Sequence, residues 1–311
     1  MRILAPLLLL ACTPAWAQQT AQYTQNVFNM FAINPAVAGS KDCIDVRLGY
    51  RQQWVGFPGA PVTGWATVAG TIKSKRRSFH ANRHGIGTFV EADHTGPLGY
   101  TSFQLAYAYH IQMKQDFYMS LGFFAGLRQE KLSLGDVFAD DNSDPALANN
   151  GSVFVYPDVT PGIWLYGKST WAGLSVQQAL GNKVKGIGVE TRLTRNYIAS
   201  LGHRFRLNKN FSAVPSGLFK LSPGSPLAMD INVMMEYRRK LGLGVTYRNQ
   251  DAVAFMIKLP FLKFFTLGYS YDITTSRLRV GGANTHELIL GIYPCAALDP
   301  SKAIVRCPIF E

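Results

Sequence analysis

Apolar and polar residues alternate with a period of two along most of this chain, a pattern that strands produce and helices do not. In Ile44-Asp45-Val46-Arg47-Leu48-Gly49-Tyr50-Arg51, one face carries Ile, Val, Leu and Tyr, the other Asp, Arg, Gly and Arg. Phe103, Leu105, Tyr107, Tyr109 and Ile111 oppose Ser102, Gln104, Ala106, Ala108 and His110. The same alternation runs from Phe117 to Gly126, from Met229 to Tyr237 and from Phe265 to Asp272. Fourteen strands are predicted, starting near Ile44, Trp65, Gly85, Ser102, Phe117, Thr160, Thr170, Asn196, Phe211, Met229, Leu241, Val253, Phe264 and Glu287. Residues 18–42 are apolar without alternating, so they are neither strand nor separate domain.

Connections between these strands tend to alternate in length. Met113-Lys114-Gln115, Gly167-Lys168-Ser169, Asn208-Lys209-Asn210, Arg238-Arg239-Lys240 and Pro260-Phe261-Leu262 are tight, whereas 52–63, 128–159, 178–195 and 273–286 are long. Two connections break the rule: Lys73 to His84 is long on the short side, and Asn249-Gln250-Asp251 is short on the long side. The former is basic (Lys73, Lys75, Arg76, Arg77, Arg83) and reads as a solvated turn more readily than as a docking surface.

Composition separates a membrane barrel from a soluble sandwich. The 311 residues are 47% hydrophobic and only 16% charged, below the roughly 25% of ordinary soluble domains. No unbroken apolar run reaches the ~20 residues of a spanning helix, and abundant aromatics exclude a disordered chain. A closed barrel is apolar in a bilayer without such runs. The predicted fold is therefore all-β, a transmembrane outer-membrane β-barrel of about 14 antiparallel strands. In such barrels short turns are periplasmic and long loops external, and an even strand number puts both termini with the turns.

Met1-Arg2, the run Ile3 to Leu10 and Ala15-Trp16-Ala17 form a secretory signal, residues 1–17, cut before Gln18. Residues 18–42 follow as an N-terminal segment, then a barrel over 43–294 and a periplasmic extension over 295–311. The net charge of +12 invites a nucleic-acid reading, which a secreted, aromatic-rich chain makes a poor fit. Three cysteines outlast processing: Cys43, Cys295 and Cys307. First and last strands pair in a closed barrel, so Cys43 lies near the end segment; an oxidising compartment permits one disulfide and leaves one thiol over, and which cysteines pair stays open.

Chemical motifs give little. Gly162-Ile163-Trp164-Leu165-Tyr166-Gly167-Lys168-Ser169 matches GxxxxGK[ST], but an apolar strand replaces the bendable phosphate loop, so the stretch reads as a hairpin tipped by Gly-Lys-Ser. Asp140-Asp141-Asn142-Ser143-Asp144 resembles a calcium loop, yet Pro145 and Gly151 stand where Gly and Glu are needed. Six histidines lack ligand spacing and no GxSxG elbow occurs. No cofactor, metal site or enzymatic activity is expected. Asp45, Arg47, Arg51, Arg204, Arg206, Asp230, Glu236, Lys258 and Asp272 fall on the presumed inner face, where mutual pairing explains most of them.

Four blocks carry a family likeness: Gln22-Tyr23-Thr24-Gln25-Asn26-Val27-Phe28-Asn29 running to Ile33-Asn34-Pro35-Ala36-Val37-Ala38-Gly39-Ser40; Tyr50-Arg51-Gln52-Gln53-Trp54-Val55-Gly56-Phe57 with Gly59-Ala60-Pro61; Ser225 to Asn232; and Tyr247-Arg248, Asp251-Ala252-Val253, Gly268-Tyr269-Ser270-Tyr271-Asp272 and His286-Glu287. In these the chain resembles the PorP/SprF family of type IX secretion outer-membrane proteins; the tail from Cys295 to Glu311 departs from it. The resemblance implies a non-enzymatic barrel in the secretion and gliding machinery. Its partners would be secreted clients bearing a type B C-terminal signal domain, periplasmic ring components and outer-membrane lipid. Asn34, Pro35, Arg51, Gln52, Gln53, Trp54, Phe57, Arg248, Asp251 and Asp272 become candidate partner-binding residues, with a structural role at barrel corners as the alternative. Residues 18–42 are expected to fold into or beneath the lumen and narrow it. A plugged or substrate-specific channel of the hydrocarbon-transporter kind is the competing function, and a barrel lipase or protease a third.

Overall fold

A computed structural model describes residues 21–41, 43–72, 82–114, 116–133, 153–183, 192–238, 240–262, 264–276 and 284–293. Fifteen strands form one sheet: β1 Asp45–Gln52, β2 Val62–Ile72, β3 Arg83–Thr95, β4 Leu98–Lys114, β5 Phe117–Leu132, β6 Val153–Gly167, β7 Thr170–Gln177, β8 Asn196–His203, β9 Phe205–Arg206, β10 Phe211–Leu221, β11 Ala228–Tyr237, β12 Leu241–Arg248, β13 Ala252–Phe261, β14 Phe265–Thr274 and β15 Thr285–Ile292. Neighbours pair antiparallel, and the ring closes through β1 and β15 (Val46↔Ile292 to Gln52↔His286). Closure removes the unpaired edges that an open sheet would leave in lipid.

β8 and β9 are one stave of a 14-strand barrel. Both pair with β10, up to Gly202↔Ser216 on one side of the break and from Phe205↔Ala213 on the other. Pro215 lies opposite the break and offers no N–H there. Arg204 instead gives its N–H to Ser169 O at 2.7 Å.

Burial alternates along the staves. Leu105 is 54% and Leu121 44% exposed, while their neighbours Ala106 and Ser120 are 6% and 0% exposed. The exposed side is Leu, Ile, Val and aromatic, which is the surface hydrocarbon stabilises; the inner side mixes Gly, Ser, Thr and charges. Phe117, Phe205, Phe211, Tyr237 and Phe261 ring the outside at the end bearing the tight turns, and Tyr50, Tyr197 and Tyr247 stand outward at the other. These two ends are called the turn end and the loop end below. No helix among the described residues is long and apolar enough to cross a membrane.

Several sequence expectations need correction. β6 starts at Val153, not near Thr160, and β5 runs to Leu132, because Pro157 and Pro161 sit inside β6 and disguise its first half. β3 and β4 meet through Gly96-Pro97 alone, a third departure from the alternation of connection lengths. Arg83 is not in the basic connection: it begins β3, faces inward and lies over the Tyr118 ring at 4.4 Å. Arg206 keeps inward register but stands exposed at the barrel mouth. The GxxxxGK[ST] stretch is the β6–β7 hairpin. Residues 1–17, expected to be a signal peptide, Lys73 to Arg77, the stretch from Asp140 to Gly151, Cys295 and Cys307 lie outside the described residues.

Candidate functional site

The interior of the barrel is occupied by the chain's own N-terminal segment. Two 3₁₀ turns, Asn26–Phe28 and Pro35–Val37, flank a one-turn helix, α1 (Met30–Ile33), and residues 24–40 are all buried. Their side chains explain the lack of alternation: Phe28, Met30, Phe31, Ile33 and Val37 meet wall residues on all sides, so no face of the segment is wet. The segment has a direction. Tyr23 donates to Glu91 in the loop-end part of β3, and Thr24 meets Arg51 near the loop end of β1. At the far end, Thr71 donates to the carbonyls of Gly39 and Lys41 at the turn end of β2. The chain thus descends from loop end to turn end before rising as β1.

A charged seat holds the upper end. Thr24 N–H donates to Glu287 Oε2 at 2.7 Å and Gln25 N–H to Glu287 Oε1 at 3.0 Å; Gln25 Nε2 donates to the Glu287 carbonyl at 2.9 Å. The Thr24 hydroxyl donates to Asp272 Oδ2 at 2.5 Å and accepts from both Arg51 and Arg248. Arg51 pairs with Glu287 at 2.9 Å and Asp272 at 3.1 Å; Arg248 pairs with Asp230 at 3.1 Å, Asp251 at 3.3 Å and Asp272 at 3.5 Å. Two guanidiniums face four carboxylates. The segment's N–H groups and hydroxyl supply donors to this acceptor-rich seat, as buried charge requires.

Lower down, shape dominates. Asn34 Nδ2 donates to Ile163 O at 2.9 Å and Leu174 O at 3.2 Å, bridging β6 and β7, while its Oδ1 caps the next turn at Ala36 N–H. Ser175 donates to Ile33 O at 2.9 Å, and His110 Nε2 lies 2.6 Å from Ala38 O with Tyr166 against its other nitrogen at 2.9 Å. The wall is glycine where the segment comes nearest. A Cβ on Gly122 would stand 2.7 Å from Ala36 Cα, one on Gly173 would strike Trp164 and Asn34, and Gly85 and Gly162 are equally crowded by Ala38 and Asn34. Gly39, at φ +74°, makes the backbone turn that leads out toward β1.

The structure therefore places Asn34, Pro35, Arg51, Arg248 and Asp272 inside the barrel, gathered on this segment, with half-buried Asp251 at the edge of the charged seat. Gln52, Gln53, Trp54 and Phe57 lie apart from them, at the loop end. That loop is ordered by Gln53 N–H to Pro61 O (2.9 Å), Val55 N–H to Asn284 O (2.9 Å) and Gly96 N–H to Gly59 O (2.9 Å), and leaves Phe57 49% exposed. Cys43 is disulfide-bonded. The other inner-face charges pair at the turn end: Asp45 with Lys41 (2.8 Å) and Arg47 (3.2 Å), Glu236 with Arg204 (3.0 Å) and Lys258 (3.3 Å). Sequence reasoning missed Thr24, Gln25 and Glu287; polar residues interrupting an apolar, non-alternating stretch were the available signal. No cluster of potential metal ligands occurs among the described residues.

Comparison with solved structures agrees with this architecture. The chain is similar to the Ralstonia pickettii toluene transporter TbuX (TM-score 0.51, 10% identity, covering 85% of this chain and 92% of that one). The CymD monoaromatic hydrocarbon channel (0.48, 10%, 87% and 92%) and a Pseudomonas aeruginosa FadL homologue (0.46, 11%, 86% and 92%) also match. At such identities the likeness concerns fold alone, that of outer-membrane barrels. No curated protein matches the chain. The family model of the type IX secretion system membrane protein PorP/SprF matches residues 15–292, a span that includes both the interior segment and every strand, and the chain belongs to that family.

Proposed function

We propose that this chain is a non-enzymatic outer-membrane barrel, closed by its own N-terminal segment, that serves type IX secretion by binding client proteins rather than by conducting solutes. The observation that supports this is the burial of residues 24–40 against inward-facing side chains of the wall, fixed at both depths by hydrogen bonds. A lumen filled in this way has no room for a translocating solute. Client recognition then falls to the loop end, which in bacterial barrels faces outward. There the ordered loop of Gln52, Gln53, Trp54 and Phe57 offers apolar surface on a fixed backbone. On this reading Asn34, Pro35, Arg51, Arg248, Asp251 and Asp272 contribute indirectly, by holding the segment that closes the barrel. The turn end would meet periplasmic ring components, and the clients are those with a C-terminal signal domain. Deleting the gene is expected to leave at least one such client off the cell surface, and Phe57→Asp to reproduce the defect with barrel levels unchanged. Normal display of every signal-domain client in the deletion strain contradicts the proposal.

A further inference from the structure

The lumen is not filled everywhere. Beside the upper part of the interior segment, toward the loop end, lies a recess of about 430 Å³ whose lining residues are all among those described. It forms because the inward row Gln104–Gly126–Asp158 across β4, β5 and β6 has no side chain at its centre. The segment closes one side through Tyr23 and Ala32, so the site exists only with the segment seated. The space is narrow: about 30 Å³ admits the centres of water-sized groups, room for roughly two or three of them.

Its charges do not balance. Glu91 and Asp158 line the recess as carboxylates, and Arg128 is the one cation among its lining residues. Arg128 gives its Nε–H to Glu130 at 2.8 Å, and its guanidinium lies 3.6 Å from the centre of the Tyr100 ring. Glu91 accepts from Tyr23, and Asp158 Oδ2 accepts from the neutral Gln104 amide at 2.8 Å. Asp158 is 4% exposed, and its Oδ1 has no hydrogen-bond partner among the described residues. Gln178, 2% exposed, brings an equally unpartnered Nε2 to the same space, while its Oε1 accepts from Asn196 Nδ2 at 3.4 Å. A buried carboxylate oxygen and a buried amide donor left open in one recess are costly unless something meets both.

We propose that this recess binds a small primary ammonium group that also carries a hydrogen-bond acceptor. The ammonium meets Asp158 Oδ1 and offsets the excess negative charge; the acceptor, a hydroxyl or carbonyl oxygen, receives the Gln178 Nε2–H. Phe89, Phe124 and Ala32 give the connecting carbons an apolar wall. A bare metal ion fits worse, because an amide N–H faces it and no cluster of potential metal ligands occurs among the described residues. A quaternary ammonium has no N–H for Asp158. The required chemistry arrives either on a free amino alcohol or as the amino terminus of a polypeptide, whose first carbonyl is the acceptor. The site stands independently of the client-binding reading.

Titration of the isotope-labelled full-length protein, followed by nuclear magnetic resonance at the Gln178 side-chain amide, tests this. The probes are ethanolamine and glycinamide, with tetramethylammonium as the control. The Gln178 resonance, identified by its absence in Gln178→Glu, should move saturably with either amine and stay still with tetramethylammonium. Asp158→Asn, which keeps the shape and removes the charge, should raise the half-saturating concentration roughly tenfold or more. A preference for ethanolamine assigns the site to free amines and one for glycinamide to a polypeptide amino terminus; either supports the proposal. No saturable change with either amine means that the recess holds water only and overturns it. An equal response to tetramethylammonium, or an unchanged affinity in Asp158→Asn, overturns it too. Should Asp158→Asn not fold, the contrast among the three probes on the wild-type chain decides alone.

Discussion

Glu287 is fully buried, and both its carboxylate oxygens receive backbone N–H groups of the interior segment while Arg51 neutralises it. Glu287→Ala leaves the Arg51 guanidinium with Asp272 as its remaining carboxylate and frees two N–H groups, so we expect a loss of roughly 3–5 kcal/mol, the usual cost of breaking a buried pair. Asn34→Ala removes two hydrogen bonds to neutral carbonyls and should cost less, about 1–3 kcal/mol. Denaturant unfolding of the refolded barrel measures both, and a Glu287→Ala protein as stable as wild type contradicts the described seat. Glycines give a sharper contrast. Gly173→Ala drives a methyl into Trp164 and Asn34 and should destabilise by about 1–3 kcal/mol, whereas Gly64→Ala meets nothing within 4 Å and should be neutral. Arg51 and Asp272 were legible in the sequence because each is a charge on the inner row of an alternating strand. Glu287 has the same placement, but at the start of the last strand it read as a boundary residue.

At the scale of elements, the strands were legible and the interior segment was legible only in what it lacks. Alternation marks a strand because one face meets hydrocarbon. Residues 24–40 are covered on every side, so no period survives to say where they go. β6 was half hidden for another reason: Pro157 and Pro161 carry turn chemistry into a strand that tolerates them because its partner has already left. The direction of the interior segment had no sequence signal at all, since an even number of strands says only where β1 and β15 end. Its placement gives a topological prediction. Gln22→Cys should react with a membrane-impermeant maleimide on intact cells as Phe57→Cys does, beyond the labelling of the unaltered chain, whereas Asn208→Cys in the β9–β10 turn should react only after permeabilisation. Gln22→Cys behaving like Asn208→Cys would mean that the segment does not rise to the loop end.

For the whole molecule, the decisive asymmetry is apolar outside and polar within, with the polar inside already filled. Val245 sits midway along β12, between outward-facing Val233 and Phe255. Val245→Arg should cost about 2–4 kcal/mol in bilayers, and refolding into vesicles measures it. An unchanged stability would mean that this face does not meet lipid. The barrel could be read from sequence because that asymmetry repeats in nearly every strand; a segment in or beneath the lumen was expected, but the contacts that seat it were not, because they join residues more than two hundred positions apart, such as Thr24 and Asp272. Single-channel recording in planar bilayers tests that closure most directly. Purified full-length protein should insert and remain electrically silent, and a variant lacking residues 21–40 should show stepwise conductance. A steady open current through the full-length protein would contradict the account.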